Sequence, residues 1–92
     1  MVSKKIIIDI PSGLHLRPIS VLCNHAIDYQ STITIKSGTK SVNAKSLIGV
    51  LSACVRRGDE IELVCEGPDE VQALTVLSDL IKSGLGDEFR KK

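Results

Sequence analysis

Residues 31–43, STITIKSGTKSVN, decide the architecture of this chain. Polar and apolar side chains alternate over 31–36 and again over 40–43, and the residues from Ser37 to Thr39 separate the two runs. Alternation with a period of two is typical of a strand with one buried face, and a short glycine-containing break between two such runs is typical of a hairpin. We therefore predict a β-hairpin, which makes an antiparallel sheet the default arrangement.

Two further strands are predicted on either side of this hairpin. Residues 2–8 are rich in β-branched side chains and end at the cluster Asp9-Ile10-Pro11-Ser12-Gly13, which breaks regular structure. Residues 60–66 alternate again and end at Gly67-Pro68. The sheet is therefore expected to have four strands.

Apolar residues recur at helical spacing in the segments between the strands, which predicts helices there. A helix from Leu16 carries Pro18 in its first turn, where no backbone N–H is needed, and a short helix is expected after Ser46 as N-cap. Asp69 and Gln72 resemble a capping box before a third helix, which Gly84 ends. The expected apolar faces are Ile19, Leu22, Cys23, Ala26 and Ile27 on the first helix, and Val71, Ala73, Leu74, Leu77, Leu80 and Ile81 on the last.

The predicted order is β-α-β-β-α-β-α, an α+β arrangement with the long helices on one face of the sheet. A length of 92 residues fits a single domain over 1–92, with residues 88–92 as a disordered tail. Charged groups nearly cancel at a formal net charge of +1, and Tyr29 and Phe89 are the only aromatic residues. Neither nucleic acid nor an anionic membrane is therefore an expected partner.

The cysteines and the N-terminus indicate a cytoplasmic protein. Cys23, Cys54 and Cys65 are odd in number and form no Cys-x-x-Cys pair, so we expect buried reduced thiols and no metal. The apolar run after Lys5 ends at Asp9, which is too short for a signal peptide or a membrane span.

Chemistry is predicted at residues 12–18, SGLHLRP, where a histidine stands at the start of a helix. Backbone N–H groups at a helix N-terminus bind phosphate oxygens, and the guanidinium of Arg17 adds charge-assisted hydrogen bonds. Attack on phosphorus requires a neutral imidazole, which a helix N-terminus favours over the imidazolium. We take His15 and Arg17 as the reactive pair, with Ser12, Leu16, Arg17 and Pro18 stabilising a phosphoryl group. The alternative is that His15 is only a helix-capping or loop histidine.

The segment Gly13-Leu14-His15-Leu16-Arg17-Pro18 resembles the Gly-Leu-His-x-Arg-Pro motif of the HPr family, phosphocarriers of the phosphoenolpyruvate:sugar phosphotransferase system. A second segment, residues 41–52, is similar to the regulatory-serine segment of Gram-positive members, and the resemblance extends over nearly the whole chain. It implies an open-faced β-sandwich, a four-stranded antiparallel sheet covered on one face by three helices. Leu16 and Ile19 depart from the alanines usual in the family.

The resemblance also implies roles for individual residues. His15 matches the histidine that is phosphorylated on Nδ1, Arg17 matches the arginine that steadies the phosphoryl group, and Ser46 matches the serine that HPr kinase/phosphorylase modifies. Leu47, Ile48 and Leu51 on the short helix are the expected docking patch. Cys54, where the family has small or aliphatic residues, is expected to lie in the core behind that helix.

The resulting hypothesis is a monomeric covalent carrier rather than an enzyme, without metal or cofactor. It would accept phosphate from enzyme I, pass it to sugar-specific IIA domains, and be regulated at Ser46. One alternative is a regulatory paralogue that acts mainly by presenting phosphorylated Ser46 to a transcription factor such as catabolite control protein A. Another is a non-catalytic α/β binding module in which the His15–Arg17 pair is incidental.

Overall fold

The computed structural model describes residues 1–11 and 13–85, and the elements follow the predicted order. Their bounds are β1 Val2–Ile7, α1 Leu16–Ala26, β2 Thr32–Ser37, β3 Lys40–Asn43, α2 Leu47–Ser52, β4 Glu60–Glu66 and α3 Glu70–Lys82. Ser12 and the predicted tail at 88–92 lie outside the described residues. The fold is an open-faced α+β sandwich, as predicted.

The sheet has the strand order β1-β4-β2-β3, and every neighbouring pair is antiparallel. In the register of the central strand β4, Leu63 lies opposite Lys4 on one side and Ile35 on the other. The apolar residues of β4 that face the helices are Ile61, Leu63 and Cys65, all essentially inaccessible to solvent. Because side chains alternate along a strand, these positions confirm the predicted buried face, although Val64 on the other face of β4 is also buried.

Helices α1 and α3 pack over this face, and their buried arcs are narrower than the sequence predicted. Ile27 is 58% exposed because it caps the end of α1 and lies about 40° past Cys23, the edge of the buried arc. Val71 is 64% exposed, since it lies in the first turn of α3, about 200° around the helix axis from Ala73. Both residues were wrongly placed on the apolar faces.

The predicted capping box at the start of α3 is not formed. The Asp69 carboxylate makes no capping bond and instead accepts hydrogen bonds from the N–H of Gln30, the N–H of Ser31 and the hydroxyl of Ser31. Glu70 Oε1 accepts the N–H of Gly67 at 3.1 Å. Donors in the two residues before β2 therefore take the place of a local cap, and their hydrogen bonds lower the pKa of Asp69 below its ordinary range.

Cys54 is exposed, which corrects its predicted core position, whereas Cys23 and Cys65 are buried. Ala53 is the C-cap of α2, and Cys54 follows it with φ +55° and donates its N–H to the carbonyl of Leu51. This left-handed conformation ends the helix and leaves the side chain in solvent. Burial raises the pKa of the thiols of Cys23 and Cys65.

Within residues 1–11 and 13–85, no helix combines the length and the apolar character needed to cross a membrane.

Candidate functional site

His15 is the N-cap residue of α1, with an extended backbone at φ −117° and ψ −167°. Its carbonyl accepts the N–H of Ile19 at 3.0 Å, which is the first hydrogen bond of the helix. Its half-buried side chain makes no capping hydrogen bond to that helix, which leaves a loop histidine as the alternative to a reactive one. His15 therefore lies at the positive end of α1.

The loop before His15 is held by backbone contacts that require a glycine. Gly13 has φ +71° and donates its N–H to the carbonyl of Ile10 at 2.8 Å, and Leu14 donates to the carbonyl of Val55 at 2.9 Å. A Cβ on Gly13 would lie 3.0 Å from both Arg56 Cα and the carbonyl oxygen of Val55. Only glycine meets this conformation and this approach without strain.

We call residues 55–59 the supporting loop, because it is bonded to the segment before His15 at several points. Besides the bond to Leu14, the Asp59 carbonyl accepts the N–H of Ile8 at 2.8 Å, and Gly58 donates to the carbonyl of Ile8 at 2.7 Å. Leu14 is itself buried and anchors the segment in the core. His15 therefore follows a chain segment fixed on one side by the core and on the other by the supporting loop.

The other predicted phosphoryl-stabilising residues occupy the first turn of α1, except Ser12, which lies outside the described residues. Leu16 and Arg17 are exposed, and the first N–H groups of a helix have no acceptor within it. Pro18 is buried and has no N–H to donate, so it fixes the first turn rather than binding phosphate. Arg17, two residues after His15, forms no ion pair within the described chain.

Ser46 is the N-cap of α2, as predicted, and its Oγ accepts the N–H of Gly49 at 3.0 Å. The next turns expose the aliphatic side chains of the predicted docking patch, of which Ile48 is 77% exposed, while Val50 faces the core. Helix α2 packs against α1, the helix that begins after His15. This patch comprises Leu47, Ile48 and Leu51.

Sequence reasoning missed the supporting loop, and with it Val55 and Arg56. Their contacts join residues about 40 positions apart, and no local pattern marks such pairs. The only signal was Gly13, because a glycine directly before a reactive residue indicates close backbone approach. As for metals, no cluster of three His, Cys, Asp or Glu side chains in the described ranges is placed to hold one.

Comparison with known proteins gives the family. A family model described as the PTS HPr component phosphorylation site matches residues 2–83. Phosphocarrier protein HPr of Borreliella burgdorferi is 41% identical over 83 residues, 90% of this chain and 96% of that protein. HPr-C-His of Thermoanaerobacter tengcongensis superposes with a TM-score of 0.90 at 38% identity, covering 94% of this chain and 97% of that one.

A crystal structure of Crh, a catabolite repression protein of Bacillus subtilis, also superposes, with a TM-score of 0.73 at 32% identity over 91% of this chain and 97% of that one. That protein is an intertwined dimer with a swapped domain. The chain described here belongs to the HPr family of the phosphoenolpyruvate:sugar phosphotransferase system. Proteins of this family are phosphocarriers, and Crh is a relative that is 35% identical over 85% of this chain.

Proposed function

We propose that this protein accepts a phosphoryl group on His15 from phosphorylated enzyme I and passes it to sugar-specific IIA domains. The observation that carries the proposal is the position of His15 at the N-cap of α1, beside the first N–H groups of that helix. A bond forms between Nδ1 of His15 and phosphorus as the bond from phosphorus to the donor nitrogen breaks. Transfer to the IIA domain repeats this exchange with His15 as the leaving group.

Two features of the site support this chemistry. The N–H groups of Leu16 and Arg17, which have no acceptor within α1, offer hydrogen bonds to the phosphoryl oxygens, and the partial positive charge of the helix end favours the added anion. Arg17 supplies a planar cation two residues away, suited to phosphate oxygens. Such a transfer needs alignment and charge stabilisation and no metal on the carrier.

We further propose that the carrier is monomeric and cytoplasmic and that phosphorylation of Ser46 regulates it. Phosphorylation of Ser46 by HPr kinase/phosphorylase would place a dianion beside Leu47, Ile48 and Leu51, where a partner docks. A regulatory protein acting mainly through phospho-Ser46 and catabolite control protein A is a second candidate, favoured by the similarity to Crh. The two candidates differ in whether His15 relays phosphate.

Incubation with phosphoenolpyruvate and purified enzyme I tests the relay. We expect one acid-labile phosphate on the wild type and none on His15→Ala, with unchanged melting temperature. Arg17→Ala should still be phosphorylated but transfer more slowly, on the order of 10²-fold, because one stabilising donor is lost. Full phosphate incorporation by His15→Ala would overturn the proposal. A wild type that takes up phosphate only on Ser46, from ATP and HPr kinase, would support the regulatory candidate instead.

A further inference from the structure

The supporting loop places a second arginine beside the segment that carries His15. The Cα atom of Arg56 lies 3.0 Å from the position that a Cβ on Gly13 would take, and the preceding carbonyl, that of Val55, holds the N–H of Leu14. These backbone contacts fix the Cα atom of Arg56 next to Gly13 and Leu14, the two residues before His15. The Arg56 side chain therefore begins beside Gly13, whereas the Arg17 side chain begins in the first turn of α1, two residues after His15.

The charge of Arg56 is not compensated within the described chain, although that of its neighbour is. Arg57 Nε lies 3.1 Å from Asp9 Oδ1 in an ion pair. The carboxylate of Asp59 accepts the backbone N–H of Arg56 at 2.9 Å but forms no ion pair with its guanidinium. The Arg56 side chain is exposed and makes no hydrogen bond to the described residues.

Lysines near α2 are, by contrast, already engaged with the backbone of this chain. Lys40 Nζ donates to the carbonyl of Ser52 at 3.2 Å, and Lys45 Nζ donates to the carbonyl of Tyr29 at 2.6 Å. In the proposed docking surface, the exposed aliphatic patch on α2 is the apolar part, and Arg17 and Arg56 are cations that have no ion pair among the described residues. Arg17 is assigned to the phosphoryl group, which leaves Arg56 for a group on the partner.

We propose that Arg56 is a specificity-determining residue that pairs with a carboxylate of the partner protein when that protein docks over His15. The assignment rests on the proposed relay. A guanidinium matches a carboxylate with two parallel hydrogen bonds, and charges at the rim of an interface steer encounter more than they speed the chemical step. Arg56 therefore selects acidic partner surfaces and acts on binding rather than on transfer.

Steady-state phosphorylation by phosphoenolpyruvate and enzyme I, with the carrier as varied substrate, tests this role. Arg56→Ala should raise KM on the order of fivefold while kcat stays within about twofold, because one rim ion pair is lost and the phosphoryl contacts remain. Arg56→Lys should recover part of the loss, since charge returns without the planar fork. Rising salt should increase KM of the wild type more than that of Arg56→Ala.

Arg57→Ala is the matched control. It removes the same charge at the next residue, from a guanidinium that is already paired with Asp9. Its KM should stay near that of the wild type, and all variants should keep the wild-type melting temperature. Equal increases in KM for Arg56→Ala and Arg57→Ala would overturn the proposal in favour of a general charge effect. A fall in kcat of Arg56→Ala at constant KM would overturn it in favour of a phosphoryl contact. Wild-type kcat and KM for Arg56→Ala would overturn it as well. A wild type without phosphohistidine would overturn the relay itself and this role with it.

Discussion

Cys54 occupies a backbone conformation that suits glycine better than any residue with a Cβ. Its φ of +55° lies in the left-handed region at the position directly after the α2 C-cap. A residue with a Cβ is destabilised by roughly 1–2 kcal/mol in this region. Glycine avoids that cost, but it offsets part of the gain because it loses more conformational entropy on folding. We expect Cys54→Gly to raise the free energy of unfolding by about 1 kcal/mol in urea titrations.

Cys54→Ala is the control for the loss of the thiol, because it keeps the Cβ and should match the wild type in stability. Equal stabilisation by alanine and glycine would show that the sulfur, and not the backbone, is the source of the effect.

Asp69 makes stability depend on pH at the low end. Hydrogen bonds from the Ser31 hydroxyl and then from the N–H of Gln30 and Ser31 lower the pKa of this carboxyl below its ordinary value of 3.8. A depressed pKa contributes stability that is complete above the ordinary value and is lost as pH falls through the folded-state value. Asp69→Ala should therefore have a lower free energy of unfolding than the wild type at neutral pH. This difference in free energy should disappear as the pH falls below 3.8.

Urea titrations of both proteins between pH 2 and pH 7 measure this difference. Asp79→Ala, on the exposed face of α3, controls for the removal of one carboxylate. A difference for Asp69→Ala that stays constant across the range would contradict the assignment.

At the scale of elements, α2 depends on the serine that begins it. The Ser46 hydroxyl accepts the Gly49 N–H, so Ser46→Ala should lose about 1 kcal/mol of stability and still relay phosphate normally. Ser46→Asp replaces one good cap by another and should keep the melting temperature within a few degrees. It should accept phosphate from enzyme I more slowly, because its charge must be desolvated against the partner. Melting curves and transfer rates of the two variants check this, and wild-type transfer by Ser46→Asp would remove the case for a switch.

Elements with a clear local pattern were predictable, and contacts between distant segments were not. Alternation gave the hairpin of β2 and β3, and spacing gave α1 with its start at His15. The bond from Leu14 to Val55 and the capture of Asp69 by Ser31 join residues about 40 positions apart, and neither follows from any local propensity. Cys54 was misplaced for a related reason: its apolar character predicted burial, whereas the way α2 ends decides its exposure.

At the scale of the whole molecule, stability and docking reside on different residues and should separate by mutation. Ile33 is fully buried between the sheet and the helices, and Ile48 is 77% exposed on α2. Ile33→Ala should lose about 2–5 kcal/mol and, where folded, relay phosphate like the wild type. Ile48→Asp should keep wild-type stability and raise KM for enzyme I, because a charge enters the apolar docking patch.

Chemical denaturation and transfer kinetics on the same preparations measure both effects. A large loss of stability in Ile48→Asp, or unimpaired transfer by it, would show that Ile48 does not belong to a docking surface.

The exposed thiol after α2 gives this protein a natural attachment point for a reporter dye. Cys23 and Cys65 are shielded by the core, so a maleimide added to the native protein should modify Cys54 and leave the other two intact. The label would lie two residues before Arg56, next to the supporting loop. A fluorophore sensitive to its surroundings would then change its emission when another protein covers this side, and stopped-flow mixing would time each arrival and departure without radioactive phosphate.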